Sequence, residues 1–169
     1  MAGDRIINCR RKADNKTNGE KKERLQQYIF MQGELRDLQE NLSRLENNCY
    51  LPAPKVSDGS KKSPGASDRM ANATIRYLAY KEKVEPDIER IKAEMAKIEQ
   101  AVSELQDGIE RRVMRLRYLT ADEGSRQHIK WPAIAIRIYG DDDQAQLQAV
   151  HRIHNRALSK IQLDGTAEK

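Results

Sequence analysis

Two runs of apolar residues at alternating steps of three and four constrain this chain more than any other feature. Tyr28, Met31, Leu35, Leu38, Leu42 and Leu45 form the first. Val84, Ile88, Ile91, Met95, Ile98, Val102, Leu105 and Ile109 form the second. Such spacing lays one narrow stripe along an α-helix and leaves Glu, Arg, Gln and Lys around the rest of its circumference. Between the runs lies "NNCYLPAPKVSDGSKKSPGASD", whose Pro, Gly, Ser and Lys predict an exposed loop over residues 49–69. Two seamed helices joined by one loop can zip together antiparallel. The same seams also fit a dimer or larger oligomer, because a single hairpin buries little surface. Pro86 predicts either a kink or a restart after a shorter helix around residues 71–83.

Composition agrees with long solvated helices. Charged residues make up 34% of the chain and aromatics 5%, and Gly and Pro are few. This favours a nearly all-α protein over a β-sandwich or an α/β enzyme core. The formal net charge is +5, and it is concentrated: between Arg111 and Lys160 ten basic side chains face five acidic ones, which accounts for the whole surplus. The C-terminal third is therefore where a polyanionic partner would bind. Residues 1–19 mix Arg, Lys, Asn and Asp without a sustained apolar period and predict a flexible basic arm. Cys9 and Cys49 form no CxxC pair and are expected as reduced thiols. With no apolar signal core and no membrane-length apolar run, the expected location is the cytoplasm, with no membrane partner.

Beyond Gly108 the apolar stripe widens. "GIERRVMRLRYL" places Ile109, Val113, Leu116 and Leu119 at helical spacing, a face suited to a small globular unit. "TADEGSRQHIK" follows as a polar loop. "WPAIAIRIYG" predicts a short helix with Pro132 in its first turn, Ile134, Ala135 and Ile138 inward, and Gly140 at its end. "DDDQ" is a turn whose aspartates can cap the next helix. That helix contains "AVHRIHNRALSKI", where Val150, Ile153, Ala157, Leu158 and Ile161 recur as one stripe among polar residues. The order of short helix, turn and basic helix is the outline of a helix-turn-helix unit.

"ERRVMRLRYL", "WPAIAIRIYG" and "VHRIHNRALSKI" together resemble the C-terminal module of phage-encoded regulators related to region four of bacterial sigma factors. That group includes RinA-like and ArpU-like transcriptional activators. The likeness extends upstream to about Ser67. It implies that Val150 to Ile161 belongs to a recognition helix, in a bacterial host cell. With the apolar stripe inward, Gln148, His151, Arg152 and Asn155 are outward candidates. Arg152 has the donor fork for guanine, Gln148 or Asn155 the amide for adenine, and His151 suits a base or phosphate. Arg156 and Lys160 are expected on phosphates, and Lys130 and Arg137 complete the DNA-binding set. A solvated surface is the alternative for each of them. His154 is expected partly inward. Two departures from the pattern are the long loop before Trp131 and the extra residues of "GDDDQAQLQAV", which leave the start of the recognition helix open between Asp141 and Val150.

The expected architecture is all-α: a long antiparallel, coiled-coil-like helical hairpin over residues 20–107, then a helix-turn-helix domain over 108–162 and a flexible tail over 163–169. The expected function is sequence-specific binding of double-stranded DNA in transcription regulation, with homo-oligomerisation through the helical region. Rival readings are a small-terminase-like DNA-packaging subunit, which would form a large ring, and a sigma-like module whose partner is RNA polymerase. An enzyme is not expected. "HRIH" offers two histidines one turn apart but no third metal ligand nearby, and neither a Gly-rich phosphate loop nor a nucleophile in a recognisable setting occurs, so no cofactor or metal is expected.

Overall fold

A computed structural model describes the backbone of residues 3–50, 66–121 and 127–163, and the side chains of 18–50, 70–121 and 127–163. The protein is all-helical, without a strand among the described residues. Helices α1 (Gly3–Tyr50) and α2 (Ala66–Ser103) are long. They are followed by α3 (Gly108–Met114), a single π-helical turn (Arg115–Leu119), α4 (Trp131–Tyr139) and α5 (Gln144–Lys160).

Several expectations change here. Helix α1 begins at Gly3, so the segment read as an irregular arm has a helical backbone. Between Asp4 and Asn18 nothing interrupts a helix: neither Pro nor Gly occurs, and extending an existing helix costs far less than nucleating one. Pro86 lies within an unbroken α2. The expected loop is shorter at both ends, since Cys49 and Tyr50 close α1 and residues 66–69 open α2; its remaining residues, 51–65, lie outside the described ones. The second seam stops before Ile109, which is 49% exposed, because α2 ends at Ser103 and a new helix starts at Gly108. Asp107 makes that start. Its carboxylate accepts from the amides of Ile109 (2.8 Å) and Glu110 (3.4 Å), satisfying N–H groups that a helix start leaves unpaired.

The chain divides into two compact units, and the division cuts across both long helices. One unit comprises Met1–Gly33 with Ala93–Lys169, the other Glu34–Lys92. In the first, Arg24 bonds Glu94 at 3.1 Å and the Tyr28 hydroxyl donates to Glu99 at 2.5 Å, tying the two long helices together. The Lys21 ammonium donates to the carbonyl of Leu158 on α5 at 3.2 Å. The core of this unit gathers Val113 of α3, Ile129, Ile134 and Ala135 at and within α4, and Val150 of α5, with Leu116, Trp131, Ile138, Leu147 and Ile153 packed against it. The second unit is described by Cys49, Val84, Ile88 and Ile91, the buried apolar residues among its described side chains. Cys49 is a free thiol that donates to the Leu45 carbonyl at 3.3 Å.

Candidate nucleic-acid interface

Helix α4 is short because its ends are set locally. Pro132 occupies its first turn, and Gly140 terminates it at φ +83°, a left-handed conformation that costs glycine little; the Gly140 amide closes on the Ile136 carbonyl at 2.8 Å. Asp141 to Asp143 then reverse the chain, and α5 starts at Gln144. Asp143 stands at the capping position, but its side chain makes no cap bond; the Asp141 carboxylate instead accepts from the Asp142 amide at 2.7 Å. The acidic turn thus ends one helix and starts the next without the side-chain cap expected of it.

Helix α5 has the two sides its sequence implies. Val150, Ala157, Leu158 and Ile161 are buried and Ile153 half-buried. Gln148, His151, Arg152 and Asn155 are exposed, and Arg152 has no hydrogen-bond or ion-pair partner among the described residues. His154 goes fully inward, only 3% exposed. Its Nδ1 lies 3.4 Å from the Asn155 amide oxygen, which can only accept. The Nδ1 therefore carries the proton, and Nε2 accepts from the Tyr118 hydroxyl at 2.8 Å. Burial lowers the His154 pKa to about 4 and, for Tyr118, raises it to about 12, so both stay neutral at neutral pH.

Around this bond sits an aromatic cluster. The Trp131 ring packs 4.6 Å from His151 and 4.9 Å from His154, and the Arg117 guanidinium lies 4.6 Å over the same indole. Arg117 also donates to the Ile129 carbonyl at 2.6 Å, and burial lowers its pKa. His128, whose pKa burial also lowers, lies with Nδ1 3.1 Å from the Arg117 carbonyl. The π-helical turn explains how Arg117 and Tyr118 can both serve. One extra residue in the turn changes the angle between successive side chains, so Tyr118 reaches α5 while Arg117 reaches Trp131. The ends of "TADEGSRQHIK" are likewise anchored, through buried Ile129 and a bridge between Ala121 and His128; residues 122–126 lie outside the described ones.

The expected set does not form one continuous group. His151 and Lys130 share the neighbourhood of Trp131, with Lys130 exposed immediately before α4. Arg137 is exposed on α4, where its carbonyl accepts from the Arg112 guanidinium at 3.0 Å. Arg156 and Lys160, expected on phosphates, are both bonded inward. Arg156 pairs through Nε with Glu110 and through Nη2 with Asp107 at 3.0 Å, while the Lys160 ammonium reaches the two Glu110 oxygens at 2.8 and 3.0 Å. Glu110 has no exposed surface and receives both cations. The Glu110 carboxylate beside Arg156 raises the guanidinium's pKa, and the amides of its own helix start hold Asp107 below the usual carboxylate range. Sequence reasoning missed Glu110, Asp107 and Tyr118 as structural partners of α5, and Arg117 as a partner of Trp131 on α4. A glutamate on the inward side of "GIERRVM" is the one signal that pointed to such a pairing, since a buried carboxylate needs a cation.

Among the described residues no group of three or more His, Cys, Asp or Glu could hold a metal ion. No helix of the described residues is long and apolar enough to cross a membrane. Comparison with family models, with curated proteins and with solved structures finds no match.

Proposed function

We propose that this chain is a phage-encoded, sequence-specific DNA-binding regulator of transcription, with α4 and α5 acting as a helix-turn-helix and α5 entering the major groove. The observation that carries the reading is the outer side of α5. There Gln148, His151, Arg152 and Asn155 are exposed opposite the packed stripe, and no carboxylate among the described residues engages Arg152. A rigid helix presenting amide and guanidinium groups can read base edges, and exposed Lys130 and Arg137 can hold phosphates. The likeness of "RIHNRAL" and the Trp-Ile-Ala-Gly spacing to sigma region-four-like phage regulators supports the same reading.

The test is selection from a random duplex library at about 50 and 200 mM salt, where phosphate-only binding fades. The expected result is an enriched motif that survives the higher salt. Equal retention of all sequences at both salts would contradict sequence-specific regulation.

A further inference from the structure

His151 and Arg152 are neighbours in sequence, yet an α-helix turns about 100° between them, so they meet different surroundings. Measured from the buried stripe of Val150, His154, Ala157 and Ile161, Arg152 stands nearly opposite. His151 stands roughly a quarter turn to one side of that stripe and Lys160 roughly a quarter turn to the other. The contacts agree with this placement. Lys160 bonds Glu110 of α3, while the His151 ring packs 4.6 Å from Trp131 at the start of α4.

Trp131 is a fixed surface for that ring. The Arg117 guanidinium lies 4.6 Å over its indole, the His154 ring meets it edge-on at 4.9 Å, and Trp131 packs against the core of the unit. A side chain resting on such a surface loses little freedom when it meets a ligand. Arg152, which no described residue engages, has no such support. Lys130 is exposed immediately before α4, so an imidazole and an ammonium belong to the same end of that helix. Asp141 to Asp143 follow its other end, roughly 13 Å of helix away.

We infer that His151 and Lys130 together contact the phosphate backbone of a bound duplex, and that Trp131 is the positioning residue that holds His151 for it. The inference rests on the DNA-binding reading and divides the outward side chains of α5 by role. Gln148, Arg152 and Asn155, nearer the line opposite the buried stripe, meet base edges, whereas His151 on the flank meets the backbone. The chemistry suits a phosphodiester. Either imidazole tautomer keeps one N–H to donate, the ammonium brings three, and phosphate oxygens accept from both.

The experiment is phosphate-ethylation interference on a duplex recovered by library selection, with affinities for that duplex and a scrambled one read by fluorescence anisotropy at about 50 mM salt. His151→Ala should weaken both duplexes by the same factor, about three- to tenfold, the fold-change of one hydrogen bond. It should also abolish interference at one phosphate, and Lys130→Ala should abolish it at the same phosphate or its neighbour. Trp131→Leu should repeat the His151→Ala pattern, Trp131→Phe should restore it, and Arg152→Ala should leave that phosphate sensitive. His151 is exposed, so its variant keeps the test sound even if Trp131→Leu fails to fold, which circular dichroism checks. Loss of affinity for the selected duplex alone would make His151 a base reader, and an ethylation pattern indifferent to His151→Ala would remove it from the interface; either result overturns this inference and leaves DNA binding standing. A chain that retains no duplex, or all duplexes alike, overturns the DNA-binding reading and this inference with it.

Discussion

Arg152 and Arg156 stand one turn apart on α5, and both are exposed. Arg152 has no partner among the described residues, whereas Arg156 is bonded to Glu110 and Asp107 and, with Lys160, neutralises a carboxylate that has no contact with water. The difference teaches that positive charge on a helix is not equivalent to a binding surface. The last turn of α5 commits its cations to Glu110 and Asp107, whereas Arg152 in the middle of the helix is committed to nothing among the described residues. Two separate anchors set the two parts: the Tyr118–His154 bond beneath the middle of α5, and the Glu110 clamp at its end.

Titrating the first anchor should have the largest effect. His154 has a folded pKa of about 4 against an ordinary 6.5, so the unfolded chain takes up a proton that the folded chain refuses across that interval. The resulting stability is fully present above the ordinary value and is lost as pH falls toward about 4, by about 3 kcal/mol in all. Urea unfolding at pH 7.5 and 4.5 measures it. His154→Phe should remove this component of the slope, whatever it does to stability at the higher pH. An unchanged slope would mean that His154 does not fasten the middle of α5.

Removing the second anchor should cost less. Glu110→Ala is expected to lower stability by about 2 kcal/mol, below the cost of stranding a buried charge, because Arg156 and Lys160 can both hydrate once released. It should also tighten binding to any duplex and steepen the salt dependence, since freed cations can then displace counterions. Loss of stability with no change in the salt slope would break the contrast between clamped and free cations. The smallest effects are expected at Lys130 and Arg137. Either residue changed to Ala should reduce the salt slope by roughly one phosphate contact and weaken all sequences alike, as titrations at several salt concentrations would measure.

Much of the C-terminal half was legible in the sequence. The stripe of Val150, Ala157, Leu158 and Ile161 is buried as its spacing requires, with Ile153 half-buried, and Gly140 ends α4. Each of these follows from local rules of periodicity, proline and glycine. The roles of Arg156 and Lys160 were not legible, because their partner lies 46 to 50 residues away and pairing at that range is set by packing. The π-helical turn was hidden for a similar reason. "RLRYL" has ordinary α-helical spacing, and only the opposing demands of Trp131 and His154 reveal why the turn widens. The helical backbone at residues 3–19 was missed because polarity was read as irregularity, although neither Pro nor Gly interrupts residues 4–18.

The most direct test compares Arg152→Ala with Arg156→Ala on a selected duplex and on a scrambled duplex of equal length, by fluorescence anisotropy with thermal melts alongside. Arg152→Ala should lose about 1 to 3 kcal/mol on the selected duplex and much less on the scrambled one, with an unchanged melting midpoint. Arg156→Ala should do the reverse: a lower midpoint and little change on either duplex. If Arg156→Ala loses the selected site while Arg152→Ala retains it, the middle of α5 is not the reading surface.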